Sequence, residues 1–209
     1  RCSARLRLST DSRRRSRGSD ARPPHGSTFG HVSDGVSDTT RDATGEVAPA
    51  FELPNVGPGE DPFTPMAAAA EYDSLVILFQ RDYYCGNCRE QVADVRDRFD
   101  EFEAVGALPV SVLPESVERT RDWQEVVELP YPVLADPNSA VGDEYDQPNR
   151  FGILGNAFDL VGRMPLAVVL DLTGAEPTVY ESYPGRTPGD RPDIDDLLDD
   201  CRACRETDD

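Results

Sequence analysis

Lysine is missing from this chain altogether. All 21 of its basic residues are arginine, and they face 40 acids, for a net charge of −19 over 209 residues. A genome rich in G and C favours arginine codons and accounts for the first feature alone. Molar salt at the place of work accounts for the second as well. There the Debye length falls to about 3 Å, so repulsion between surface acids is largely screened. On that reading the fold loosens when salt is removed. Long apolar runs are also missing. No stretch approaches the roughly 18 residues of a membrane span, and the paired arginines near the N-terminus lead into no apolar segment of a secretory or twin-arginine signal. These absences predict a soluble, cytoplasmic protein. Cysteine is scarce, with five in the chain, which in that compartment points to redox or metal chemistry rather than a disulfide framework.

The acidity is uneven. Residues 1–50 hold nine arginines against six acids, whereas residues 51–209 hold twelve against 34. A body this negative repels phosphate backbones and anionic bilayers, which excludes nucleic acid and membrane surfaces as its partners. The basic run SRRRSRG (12–18) reads as a solvated tail. Residues 1–46, rich in Arg, Ser, Asp, Gly and Thr, have no apolar periodicity and are expected to be disordered. A domain is expected over 47–200, followed by a short C-terminal tail, 201–209, that carries Cys201 and Cys204.

Within the domain, VAPAFELPNVGPGE (47–60) alternates apolar and polar residues into turn chemistry and predicts a leading hairpin. SLVILFQ (74–80) is a continuous apolar run, a central buried strand. Val92, Val95, Phe99 and Phe102 mark one face of a helix from about Cys88 to Gly106. ALPVSVL (107–113) is a second strand, 117–129 a helix around Trp123, and YPVLADP (131–137) a short strand followed by a short helix through Val141 and Tyr145. Residues 147–162 read as a loop insertion, 165–183 as two antiparallel strands joined at Thr173–Gly174, and a last helix starts near Pro192. This order predicts an α/β protein with a mixed central sheet and helices on both faces, which a thioredoxin-like fold satisfies.

The chemistry is concentrated in LFQRDYYCGNCREQ (78–91), where Cys85 and Cys88 follow a strand and open a helix. Such a pair in an α/β context is a redox signature. Two other readings compete with it. The cysteines could be small buried hydrophobes, or Cys201 and Cys204 could complete a four-sulfur zinc site, against which the separation of over 100 residues weighs. Lowering a thiol from about 8.5 to about 7 takes roughly 2 kcal/mol, and a helix N-terminus typically supplies about 0.3–1 kcal/mol. A nearby cation is therefore needed, and Arg81, Arg89 and Arg163 are the candidates.

Residues 47–199 resemble the alkyl hydroperoxide reductase/thiol-specific antioxidant group of peroxiredoxins, in particular a divergent branch with C-x-x-C. The stretches that carry the likeness are VAPAFELPNVG (47–57), LVILFQRDYYCGNCREQ (75–91), PVLADPNSAVGDEYD (132–146) and RMPLAVVLDLTG (163–174). The resemblance implies a thioredoxin-like fold, an antioxidant thiol enzyme, no cofactor and no metal. It also implies a hydroperoxide or a protein disulfide as substrate, and a thioredoxin-type or low-molecular-weight thiol as reductant. It places Pro165 where such folds carry a cis-proline facing the cysteines, and Arg163 near an arginine that stabilises the thiolate. Tyr83 and Tyr84 flank the pair, read either as a substrate rim or as plain packing at a strand end, and Cys201 and Cys204 as either a possible relay that reduces the active pair or two thiols on a C-terminal helix.

The motif departs from the peroxiredoxin pattern P-x-x-x-T-x-x-C. Counted in that frame the attacking residue is Cys88, with Cys85 in the threonine place and Arg81 in the proline place. Counted as thioredoxin, Cys85 attacks and Cys88 resolves. The missing threonine, which would orient a peroxide, weighs toward Cys85. A non-catalytic redox sensor, whose Cys85–Cys88 disulfide regulates binding, is the alternative to an enzyme.

Overall fold

The computed structural model of the chain describes residues 45–149 and 162–206. The tail expected to be disordered over 1–46 lies outside the described residues as far as residue 44, and so does most of the insertion expected over 147–162.

Strand β1 (Ser74–Phe79) is buried at every position. A strand apolar on both faces must be covered on both, so it takes the middle of a sheet. It pairs in parallel with β2 (Ala107–Leu113) and antiparallel with β4 (Leu166–Asp171). Strand β3 (Val133–Ala135) extends the parallel side and β5 (Thr178–Pro184) the antiparallel side, giving the order β3-β2-β1-β4-β5. Pro109 is tolerated in β2 because β3 pairs only with Ser111–Leu113, so no ladder bond to that neighbour is lost. A one-turn helix, α1 (Pro65–Ala68), precedes β1. Parallel neighbours need crossovers. Helices α2 (Gly86–Asp97) and α3 (Phe99–Ala104) join β1 to β2, and α4 (Val117–Val127) joins β2 to β3. The short α5 (Ala140–Glu144) follows β3, and α6 (Ile194–Glu206) packs against β1, β4 and β5. This is the mixed α/β, thioredoxin-like architecture that the element order predicts.

Three local expectations are corrected. The helix expected from Cys88 to Gly106 is two helices, broken at Arg98, whose backbone leaves the helical region (φ −116°, ψ 18°). The Arg98 side chain instead reaches Glu101 at 2.8 Å and Asp195 at 2.7 Å, clamping the break to α6. Gly106 does end α3, with φ +73°, a left-handed turn that glycine adopts without steric cost. The leading segment 47–60 forms isolated bridges rather than a hairpin of two strands, joining Val47 to Thr178, Leu53 to Phe63 and Asn55 to Leu134. Asn55 is the reason it turns where it does. Its side-chain oxygen accepts from Gly57 (2.9 Å) and Val133 (3.0 Å), and its amide donates to the Pro58 and Glu60 carbonyls.

The third correction concerns the C-terminus. No tail begins at residue 201, because α6 runs through to Glu206. Leu197, Leu198, Cys201 and Cys204 recur at helical spacing, and all four are buried in the core with Trp123, Val92 and Val95.

Candidate active site

Chain direction alone brings the cysteines to the carboxyl end of the central strand. Beyond Phe79 the backbone turns through residues 80–84, and Cys85 takes the N-cap position of α2 with extended dihedrals (φ −62°, ψ 105°). Its sulfur accepts the Cys88 N–H at 3.2 Å, satisfying one of the orphan donors of the helix N-terminus. No acid stands in the first turn of α2 to oppose a negative charge there. Cys85 and Cys88 are joined as a disulfide, with their Cα atoms 5.2 Å apart. Cys85 is 6% exposed and Cys88 is fully buried.

The cation that faces the sulfurs comes from none of the three arginines expected. It is Arg191, from the loop between β5 and α6. Its Nη2 lies 3.1 Å from Cys88 Sγ and 3.7 Å from Cys85 Sγ. The guanidinium is aimed by two further bonds, Nε to Gln91 Oε1 at 3.0 Å and Nη1 to the Pro188 carbonyl at 2.7 Å. Asn87, inside the C-x-x-C, donates to the same carbonyl at 3.1 Å and so ties the loop to α2. Partial burial, and then the charge of Arg81, lower the Arg191 pKa from its ordinary value.

Pro165 supports this loop from below, but not as a cis-proline. Among the described residues the cis peptide is Asp61–Pro62, and the Met164–Pro165 bond is trans. The Pro165 carbonyl accepts from Gly185 N–H at 2.8 Å and continues the extended β4–β5 pairing by one residue. A Cβ on Gly185 would sit 2.6 Å from Pro165 Cγ and 2.9 Å from the Asp190 carbonyl, so only glycine lets the two chains approach.

Arg163 is buried. Its Nη2 pairs with Asp143 at 2.9 Å, and its Nη1 donates to Gln147 at 3.2 Å. Arg81 donates through Nε to the Arg163 carbonyl at 2.7 Å. On the other flank Tyr84 is 76% exposed and packs edge-on against Tyr83, with the Arg119 guanidinium 4.8 Å from the Tyr83 ring and 5.6 Å from that of Tyr84. Arg89 donates to the Tyr83 carbonyl at 3.0 Å.

Cys201 and Cys204 are not brought to the site. Cys201 lies beside Ser74, the first residue of β1, whereas Cys85 follows its last. At about 3.3 Å per residue the strand puts them on the order of 17 Å apart. The two pairs therefore form neither a four-sulfur metal site nor a relay by direct exchange. Burial pushes the Cys201 thiol up to about 11 and the Cys204 thiol up to about 12, which keeps both protonated and unreactive at neutral pH. Sequence reasoning missed Arg191 because nothing local marks an arginine 103 residues away as a neighbour of Cys88. The only hint was the demand for a cation that the helix terminus alone could not meet.

A bonded cysteine pair opening the helix after the central strand of a β3-β2-β1-β4-β5 sheet defines a thioredoxin-fold thiol–disulfide protein. The chain belongs to the AhpC/TSA family, whose model matches residues 44–174. It is 27% identical over 108 residues to the Mycobacterium tuberculosis protein named "Putative peroxiredoxin Rv2521". That match covers 51% of this chain and 65% of the relative, so the chain spans somewhat under two thirds of that relative's length. It is 21% identical to "Putative peroxiredoxin bcp" of Haemophilus influenzae, covering 68% of this chain and 87% of that protein. Among solved structures, peroxidoxin BcpB of Mycobacterium tuberculosis superposes with a TM-score of 0.63 at 24% identity, over 77% of this chain and 97% of that one. The reduced 2-Cys peroxiredoxin of Plasmodium vivax gives 0.63 at 13% identity, over 79% and 98%. Both likenesses carry the fold.

Proposed function

We propose that this chain is a thiol-dependent redox enzyme that cycles Cys85 and Cys88 between dithiol and disulfide to reduce hydroperoxides or disulfides, with Cys85 attacking and Cys88 resolving. One observation carries the reading: the Arg191 guanidinium stands against both sulfurs at the N-terminus of α2. Helix terminus and guanidinium together favour thiolate over thiol.

With a hydroperoxide, the Cys85 thiolate attacks the terminal oxygen and the O–O bond breaks. Sulfur is oxidised to sulfenic acid, and the alkoxide leaves as an alcohol after taking a proton. Cys88 then attacks the sulfenic sulfur, water leaves, and the disulfide forms. With a disulfide substrate, Cys85 first forms a mixed disulfide, which Cys88 displaces. In both cases an external dithiol or two thiols return the pair to the reduced state and are themselves oxidised. A thioredoxin-type protein or a low-molecular-weight thiol fills that place. The test is steady consumption of hydrogen peroxide, and separately of insulin disulfides, with a dithiol donor. Turnover many times the protein concentration is expected. A single stoichiometric oxidation with no further consumption would instead make the pair a regulatory switch.

The chain works in the cytoplasm at high salt. Its 40 acids against 21 arginines are tolerable where molar salt screens them. The urea midpoint is expected to rise from low to molar KCl, and an unchanged midpoint would leave the acid excess without that explanation.

A further inference from the structure

In a body with 34 acids against twelve arginines, an ion-pair partner is easy to supply. Arg96, Arg98, Arg119, Arg163, Arg202 and Arg205 each meet a carboxylate within ion-pair distance. Arg191, the arginine that faces the sulfurs, meets none among the described residues. Its acceptors are all neutral while the disulfide stands. They are Gln91 Oε1 at 3.0 Å, the Pro188 carbonyl at 2.7 Å, Cys88 Sγ at 3.1 Å and Cys85 Sγ at 3.7 Å. Acids adjacent in sequence do not fill the gap. Asp190 accepts the Arg186 N–H at 3.0 Å, and Glu90 is exposed and forms no ion pair with Arg191.

Gln91 is buried and holds the guanidinium through Nε. A glutamate there would have the same shape and would accept that N–H more strongly. The amide therefore aims the cation without discharging it. A half-buried guanidinium with no counter-ion is costly in the disulfide state. Reduction removes the cost. The disulfide takes up two electrons and one proton and becomes one thiol and one thiolate, and the thiolate lies at the end of Arg191 Nη2. Contact with Arg191 thus stabilises the reduced pair and not the oxidised one, which shifts the equilibrium toward reduction.

We propose that Gln91 is a positioning residue that holds Arg191 on the cysteine pair while leaving its charge unpaired, so that the thiolate made by reduction is its counter-ion and the disulfide is kept strongly oxidising. The proposal rests on the pair cycling between dithiol and disulfide. A thiolate on either cysteine satisfies it, so it does not depend on which sulfur attacks.

Equilibration with glutathione buffers at neutral pH and molar KCl tests this, with the reduced fraction read by alkylation and mass. Two glutathione thiols give up two electrons and two protons and form their disulfide, and the protein pair takes the electrons and one of the protons. Gln91→Glu is expected to lower the equilibrium constant for reduction by about tenfold or more, a drop of about 30 mV per tenfold. Arg191→Gln is expected to lower it at least as far. Gln91→Met, which loses the acceptor while the Pro188 carbonyl still holds Nη1, is expected to lower it about threefold, and to have no effect in an Arg191→Gln background.

The glutamate variant separates poise from packing. If Gln91 served only as a hydrogen-bond acceptor, glutamate would keep the wild-type equilibrium. A constant within about twofold of wild type in Gln91→Glu, or in Arg191→Gln, overturns the proposal. So does an effect of Gln91→Met that is the same with and without Arg191. The measurement is made at equilibrium and needs no turnover. The expected shifts in a protein that is oxidised only once would keep the poise and remove the enzyme. Wild-type equilibria in the variants of a protein that turns over would keep the enzyme and overturn the poise.

Discussion

Cys85→Ser is expected to abolish peroxide and disulfide turnover, by about a thousandfold or more, because it removes the thiol proposed as nucleophile. Cys88→Ser is expected to behave differently. It keeps the first oxidation, stopping at a sulfenic acid on Cys85 that a dimedone-type reagent traps, and loses the recycling that depends on the internal disulfide. Two features of the site pull in opposite directions here. The guanidinium contact is shorter to Cys88 (3.1 Å) than to Cys85 (3.7 Å), which by itself favours Cys88 as the thiolate. Accessibility favours Cys85, which keeps a sliver of exposed surface at the N-cap while Cys88 is sealed beneath the first turn of α2. A peroxide must touch the sulfur it oxidises, so access decides, and Cys88 would need that turn to open first. Stopped-flow oxidation with mass analysis of the product separates the frames. A rapidly formed sulfenate on Cys88 in the Cys85→Ser protein would transfer the attack to Cys88.

Much of this arrangement was legible in the residues because it depends on local pattern. The six buried positions of β1 and the run of β4 announce themselves as apolar stretches, and β5 follows β4 beyond the turn at Thr173–Gly174. The C-x-x-C falls at a strand-to-helix junction that two neighbouring patterns define. What was not legible depends on long-range approach. At the break Arg98 pairs with Asp195, 97 residues away, and a periodicity that runs straight through 92–102 cannot register that contact. Cys201 and Cys204 look like a second active motif, yet they are two rungs of the α6 stripe facing the core, where their sulfurs serve as small hydrophobes. Arg163 and Arg191 exchange the parts that linear resemblance gives them. The arginine expected on the thiolate is built into the interior, and one from a loop of no recognisable pattern reaches the sulfurs.

That exchange makes Arg163→Leu the most destabilising substitution expected at this end of the sheet, on the order of 3 kcal/mol at neutral pH. Its visible ion-pair partner, Asp143, is not the reason, since that carboxylate side chain is 59% exposed and water can replace the guanidinium. Asp136 is the reason. Its buried carboxylate accepts N–H groups from Ala140 (3.0 Å), Val141 (3.1 Å) and Gly142 (3.1 Å) and lies in the field of Arg163. Burial raises its pKa above the ordinary carboxylate value, and the three amides and then Arg163 offset part of that rise. A carboxyl whose folded pKa is raised binds its proton more tightly in the fold than in the unfolded chain. The cost of its charge is therefore fully present above the folded pKa and is relieved as pH falls through it toward the unfolded value. Removing Arg163 raises that pKa further. The deficit of Arg163→Leu against wild type is then greatest at neutral pH and narrows on acidification, as read from urea unfolding across that range. It also narrows in an Asp136→Asn background, where no buried charge remains to be stranded. A deficit that is constant with pH and unchanged by Asp136→Asn would mean that Arg163 acts by packing alone, against Gly142 and Gln147. The folded variant keeps the Arg191 contact, so its Cys85 alkylation rate is expected to fall less than that of Arg191→Gln. Stability and thiol reactivity are thus divided between two arginines that the motif would have merged into one.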